Sequence, residues 1–130
     1  LSKAAAKQMI AQGEGGSIIN VSSIASRGAG ANTAAYSASK AGINALSHSM
    51  AMELAKYQIR VNALLPGLLD TFRTDDLGRG ETWERVVRER IPLGYAGDGT
   101  EQAEMVLFLV SERGKWITGQ CLAVDGGTTW

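Results

Sequence analysis

Apolar residues recur along this chain in two rhythms, short β-branched runs and longer stretches with a period near 3.6 residues. Residues 1–12 (LSKAAAKQMIAQ) are rich in Ala, Lys and Gln and stop at the glycines of "GEGG", the composition and terminus of a helix. "SIINV" (residues 17–21) then predicts a buried strand, with Ser22 and Ser23 at its carboxyl end pointing to opposite faces. The helical period returns over residues 34–56, where Ile43, Leu46, Met50 and Leu54 fall on one stripe. "IRVNALLPG" predicts a second strand stopped by Pro66. "ETWERVVRERIP" predicts an amphipathic helix with Trp83, Val86, Val87 and Ile91 on its apolar face. Asp98 is placed to cap a further helix, with Glu101 at the capping-box position before "AEMVLFLV". "CLAV", closed by "DGG", predicts a third strand.

Strands separated by helical segments of this length indicate parallel βαβ units with helices on both faces of the sheet. Three strands make a poor complete domain of that kind, because such sheets usually have more and "SIINV" keeps an apolar unpaired edge. The pattern therefore predicts part of a larger sheet.

Composition narrows the function. The chain has 130 residues, 45% hydrophobic and 20% charged, enough for one modest core. Thirteen basic residues balance thirteen acidic ones, so no net field draws nucleic acid or an anionic membrane surface, and a neutral small molecule suits the charge better. Cys121 is the only cysteine and His48 the only histidine, which excludes an internal disulfide and a cysteine-cluster metal site and fits a reducing cytoplasm. Cys121 reads as a small buried hydrophobe. No apolar run approaches the roughly 20 residues of a membrane span, and "LSKAAAKQMI" lacks a signal-peptide core. The first residue is Leu1 rather than Met, which suggests a processed product or a fragment.

The candidate chemistry lies in "YSASK". Tyr36 and Lys40 stand four apart, so on a helix they share a face, and the small Ser37, Ala38 and Ser39 between them let a ligand approach closely. A free tyrosine has a pKa near 10, and a fixed ammonium within about 6 Å favours the phenolate, as does the positive end of a helix beginning near Ala34. By itself the spacing, common by chance, reads as a half-buried helix tyrosine and a solvated lysine. Ser23 adds a hydroxyl thirteen residues before Tyr36, at the carboxyl end of a strand, where open α/β sheets bind ligands. By itself Ser23 also reads as a strand-terminal hydrogen-bonding residue.

Two hydrolase readings fail on their partners. "SASK" is a Ser-x-x-Lys motif, but the S-D-N and K-T-G elements that accompany it in β-lactamases are absent. A Ser-His-Asp site would need His48, which falls mid-helix, and no G-x-S-x-G elbow occurs.

Together, "IINVSS", "YSASKAG", "IRVNALLPG" with Thr71 just beyond, and "ITGQCLAVDGG" resemble the carboxyl-terminal half of a classical short-chain dehydrogenase/reductase, in that family's order and spacing and over essentially the whole chain. The resemblance implies an α/β fold, the carboxyl-terminal portion of a Rossmann-like doubly wound parallel sheet. It implies that Ser23 orients the substrate oxygen, Tyr36 is the general acid or base, and Lys40 assists the tyrosine and binds the nicotinamide ribose. Pro66 and Gly67 would lie beside the nicotinamide, a backbone group of Leu69 would bind its carboxamide, and the Thr71 hydroxyl would face the amide or the diphosphate. Without the resemblance, Pro66 and Gly67 read as a strand-ending turn.

The implied reaction is reversible hydride transfer between NAD or NADP and a carbonyl or secondary-alcohol carbon of a small molecule. Residues 68–91 would form a substrate lid, in which Phe72, Leu77 and Trp83 suit either a partly apolar substrate or the lid's own packing. The helices of residues 1–12 and 34–56 and the last strand correspond to the family's subunit interfaces, implying a homodimer or homotetramer. The chain departs from the family in lacking the glycine-rich dinucleotide loop, the asparagine that completes the catalytic group and the residue that discriminates NAD from NADP. Gly99 stands where relatives often begin a helix with proline. A noncatalytic scaffold subunit is the competing reading. The isolated 130-residue chain is expected to lack turnover.

Overall fold

The computed structural model describes residues 1–28, 30–71 and 80–129. Within them lie α1 (Ser2–Gln12), β1 (Gly16–Val21), α2 (Ala34–Leu54), β2 (Ile59–Pro66), α3 (Glu81–Arg90), α4 (Thr100–Val110) and β3 (Cys121–Val124). Of the expected lid, Phe72 and Leu77 lie outside the described residues.

The three strands form one parallel sheet in the order β1-β2-β3. Gly16 to Val21 pair with Ile59 to Leu64, and Ala63 to Pro66 pair with Cys121 to Val124. Central β2 explains its own sequence: Val61, Ala63 and Leu65 on one face and Asn62 and Leu64 on the other are all buried, so both faces are covered and, Arg60 and Asn62 apart, the run is apolar. Alternation still sorts the faces. Ile18, Ile59 and Val61 join Ala6 of α1 and Ala51 and Leu54 of α2 in one core cluster. On the other face, Ser17 Oγ and Arg60 Nη1 both donate to the Leu109 carbonyl of α4. Helices thus cover both sides, as expected of a Rossmann-like portion.

The buried side of α2 keeps only part of the expected stripe: Leu54 is buried and Met50 packs against the core. Ser37, Ser47, Ala51 and Leu54 face inward, whereas Leu46 is 50% exposed. Small residues win because they let the helix approach the sheet closely. Each buried hydroxyl is paired: Ser37 Oγ donates to Thr33 Oγ1, and Ser47 Oγ donates to the Ile43 carbonyl while accepting from Asn20 Nδ2. Leu46 instead lines a surface groove with Ile10 and Met50, between α1 and α2.

A second departure lies at the start of α4. Gly99, left-handed at φ 100°, is the N-cap, and Asp98 Oδ1 accepts from the Thr100 amide at 2.8 Å. Glu101 closes no capping box; its Oε2 is buried without a partner among the described residues. The left-handed turn moves the cap one residue beyond Asp98, out of register with Glu101. No helix among the described residues is long and apolar enough to cross a membrane.

Asn62, fully buried on β2, donates from Nδ2 to the Ile117 carbonyl and accepts the Gln120 amide on Oδ1, tying the central strand to the loop that launches β3. Asn62→Leu is expected to cost roughly 2 to 4 kcal/mol, because both loop groups lose their partner. Urea denaturation checks this, and a loss below about 0.5 kcal/mol would contradict it.

Candidate active site

The chain leaves β1 at Val21 and turns at once toward α2. Ser22 is buried and its Oγ donates to the Lys40 carbonyl at 2.9 Å, so this serine welds the strand end to the helix. Ser23, partly exposed, heads the 3-10 turn Ile24–Ser26, where its Oγ accepts from the Ala25 amide at 3.2 Å. A hydroxyl oxygen that accepts a backbone N–H still has its own proton to donate.

Tyr36 sits in the first turn of α2 and is 41% exposed. Lys40 follows one turn later, its Nζ 5.7 Å from the Tyr36 ring centroid and donating to the Val21 carbonyl at 3.2 Å. That carbonyl holds the ammonium at the carboxyl end of β1 beside the phenol. The two motif residues and the serine turn therefore meet at the end of the sheet where parallel strands bind ligands.

The segment after β2 is shaped by a close approach. Gly67 donates its amide to the Val124 carbonyl at 3.0 Å, and a Cβ on it would stand 2.5 Å from Asp125 Cα. The next residues pair with Gly97: its amide donates to the Leu68 carbonyl at 3.3 Å, and its carbonyl accepts the Asp70 amide at 2.7 Å. In such a parallel bridge the intervening Leu69 turns its own N–H and C=O to the other side. Among the described residues neither group has a partner, which leaves one donor and one acceptor of the kind a carboxamide requires. Thr71 is partly exposed immediately beyond.

Sequence reasoning missed several groups around this end of the sheet. Asp125, of the "DGG" run, accepts the Gly127 amide on Oδ1 and both the amide and hydroxyl of Thr129 on Oδ2. Partial burial opposes its ionisation, but the Thr129 and Gly127 hydrogen bonds and the Arg27 charge outweigh this and hold the carboxyl below its ordinary value of 3.8. A depressed folded value means this contribution to stability is complete above the ordinary value and fades as pH falls through the folded one. Asp125→Asn is therefore expected to flatten the decline in thermal midpoint below pH 4. Identical acid profiles for the two proteins would refute the assignment.

Arg27 Nη2 also donates to the Cys121 carbonyl at 2.6 Å. Cys121 is partly exposed rather than the buried residue expected, because β3 is an edge strand. Its Sγ lies 3.5 Å from His48 Nε2, while burial, opposed by Arg27, pushes the thiol up from its ordinary value, away from the thiolate a nucleophile needs. Among the described residues no cluster of three His, Cys, Asp or Glu side chains could hold a metal.

The family model described as enoyl-(acyl carrier protein) reductase matches residues 1–129. L-rhamnose-1-dehydrogenase of Scheffersomyces stipitis is 42% identical over 125 residues, which cover 96% of this chain and 48% of that protein. L-rhamnose 1-dehydrogenase (NAD(P)(+)) of Azotobacter vinelandii is 43% identical over 126 residues, covering 96% and 49%. Among solved structures, 4-hydroxyisoleucine dehydrogenase complexed with NADH superposes with a TM-score of 0.93 at 30% identity, over 98% of this chain and 53% of that one. The chain spans about half the length of the curated relatives it matches.

Proposed function

The chain belongs to the short-chain dehydrogenase/reductase family, and on that premise we propose that it is the carboxyl-terminal, catalytic part of an oxidoreductase that interconverts a carbonyl and a secondary alcohol with NAD or NADP. The observation that carries this reading is the Lys40 ammonium 5.7 Å from the Tyr36 ring, beside the serine turn at the carboxyl end of β1. Ser23 donates its free proton to the substrate oxygen and orients it. Tyr36 gives that oxygen a proton during reduction and takes it back during oxidation. Lys40 keeps a positive charge beside the phenol and, with two protons left after bonding Val21, binds the hydroxyls of a ribose.

The unpaired N–H and C=O of Leu69 fit a nicotinamide carboxamide, with Pro66 and Gly67 setting the turn beneath it and the Thr71 hydroxyl at its rim. The bound nicotinamide supplies or accepts the hydride. The glycine-rich pyrophosphate loop has no counterpart in these residues, so the cradle is only half supplied. The relatives' names favour the enzyme over a noncatalytic scaffold. A homodimer or homotetramer follows from the same reading, and the groove holding Leu46, Ile10 and Met50 suits subunit contact.

The 130-residue chain alone is expected to show no NAD(P)H-dependent carbonyl reduction, and turnover should appear when it is preceded by a dinucleotide-binding half of the family. Absorbance of the reduced nicotinamide follows both. Turnover by the chain alone overturns the divided cradle, and none by the joined protein overturns the proposed function.

A further inference from the structure

We propose that Asn44 is a positioning residue for Ser23, holding the serine turn in register with the helix that carries Tyr36 and Lys40; this rests on the catalytic reading of Ser23 given above. Asn44 lies four residues beyond Lys40 and eight beyond Tyr36, so the three share one stripe of α2. Its Nδ2 donates to Ser26 Oγ at 2.8 Å. Ser26 Oγ donates in turn to the Ser23 carbonyl at 2.5 Å, which also accepts the Ser26 amide at 3.0 Å.

The direction of this relay follows from the inventory of protons. An amide nitrogen only donates, so Ser26 Oγ accepts from Asn44 and places its single proton on the Ser23 carbonyl. The turn is clasped at that carbonyl while the Ala25 amide holds Ser23 Oγ. Ser23 thereby keeps a fixed backbone relative to the helix bearing the phenol, with its hydroxyl proton pointing elsewhere than into the turn.

Stability alone does not account for Asn44. Among the described residues its Oδ1 is buried with no partner, and a half-satisfied buried amide is costlier than an aliphatic side chain of the same size. Leucine would pack there without that penalty. A residue held against its own stability interest is the pattern of a positioning group.

The test uses a catalytically complete protein that contains this chain. Asn44→Leu is expected to lower kcat about tenfold or more, since small misplacements of a reacting group carry such losses. Its Tm should be unchanged or higher, and the cofactor KM unchanged. Ser26→Ala should act in the same direction, and the double variant should lose no more than the larger single one. Asn44→Asp keeps the shape but removes the donor, so it should not restore turnover.

Ser23→Ala separates the two layers. If Ser23→Ala is fully active, the catalytic reading of the serine is wrong. If it is inactive while Asn44→Leu and Ser26→Ala turn over normally, the serine reading stands and the positioning role is overturned. A Tm loss in Asn44→Leu that accounts for its lost activity also overturns the positioning role, leaving Asn44 structural.

Discussion

Replacing Tyr36 with phenylalanine is expected to lower turnover by about 10²- to 10⁴-fold, the range that a positioned acid or base contributes. The variant keeps the ring over which Lys40 sits, 5.7 Å from its centroid, and removes only the hydroxyl. The ring is already 41% exposed, and no described group pairs with its oxygen, so fold stability should hardly move. Cofactor affinity should also persist, because the ribose and carboxamide contacts proposed for Lys40 and Leu69 are untouched. Steady-state kinetics and a cofactor titration on a catalytically complete protein containing this chain test the pair of expectations. Near-full activity of the variant sinks the proton-transfer role; equal loss of turnover and cofactor binding shows instead that the hydroxyl serves binding.

Gly67→Ala is expected to cost about 3 kcal/mol of stability, at the upper end of what overpacking costs. The added Cβ would meet Asp125 Cα at 2.5 Å and Asp125 Cβ at 2.6 Å, and backbone cannot swing aside as a long side chain can. Relief requires β2 and β3 to separate at their carboxyl ends, which breaks the Gly67 to Val124 hydrogen bond and shifts the turn leading to Leu69. Cofactor affinity should fall together with stability. Chemical denaturation of the chain and a binding titration on the complete protein measure the two. An alanine variant as stable as the parent would mean that the sheet end is more compliant than its geometry indicates. The glycine's requirement is thus intramolecular, a reason that the sequence motif did not reveal.

Much of the architecture is legible in the sequence. "SIINV", "IRVNALLPG" and "CLAV" lie within a residue or so of β1, β2 and β3, because short β-branched runs bounded by glycine, proline and polar residues have few other ways to satisfy their backbone. The left-handed Gly13 that ends α1 was equally readable. The inner face of α2 was not. Hydrophobicity points to Leu46, but the closeness of helix to sheet selects Ser47 and Ala51, and that depends on residues far along the chain.

The candidate site divides in the same way. Helical spacing alone put Tyr36 and Lys40 on one face, since four residues make about one turn. Strand alternation separated Ser22 from Ser23, and the fold explains the difference, with Ser22 spending its proton on the Lys40 carbonyl. The Asn44 to Ser26 bond joins positions eighteen apart that no local period relates. The same holds for Gly67 against Asp125 and for Leu69, whose amide and carbonyl are freed only because its neighbours bridge to Gly97. Sequence by itself determined the order of strands and helices and the pair of side chains on one helical turn, because those follow from periodicity and local sterics. Only the tertiary structure decided which hydroxyls are consumed by packing and which remain to meet a ligand, because that depends on what distant segments bring against them.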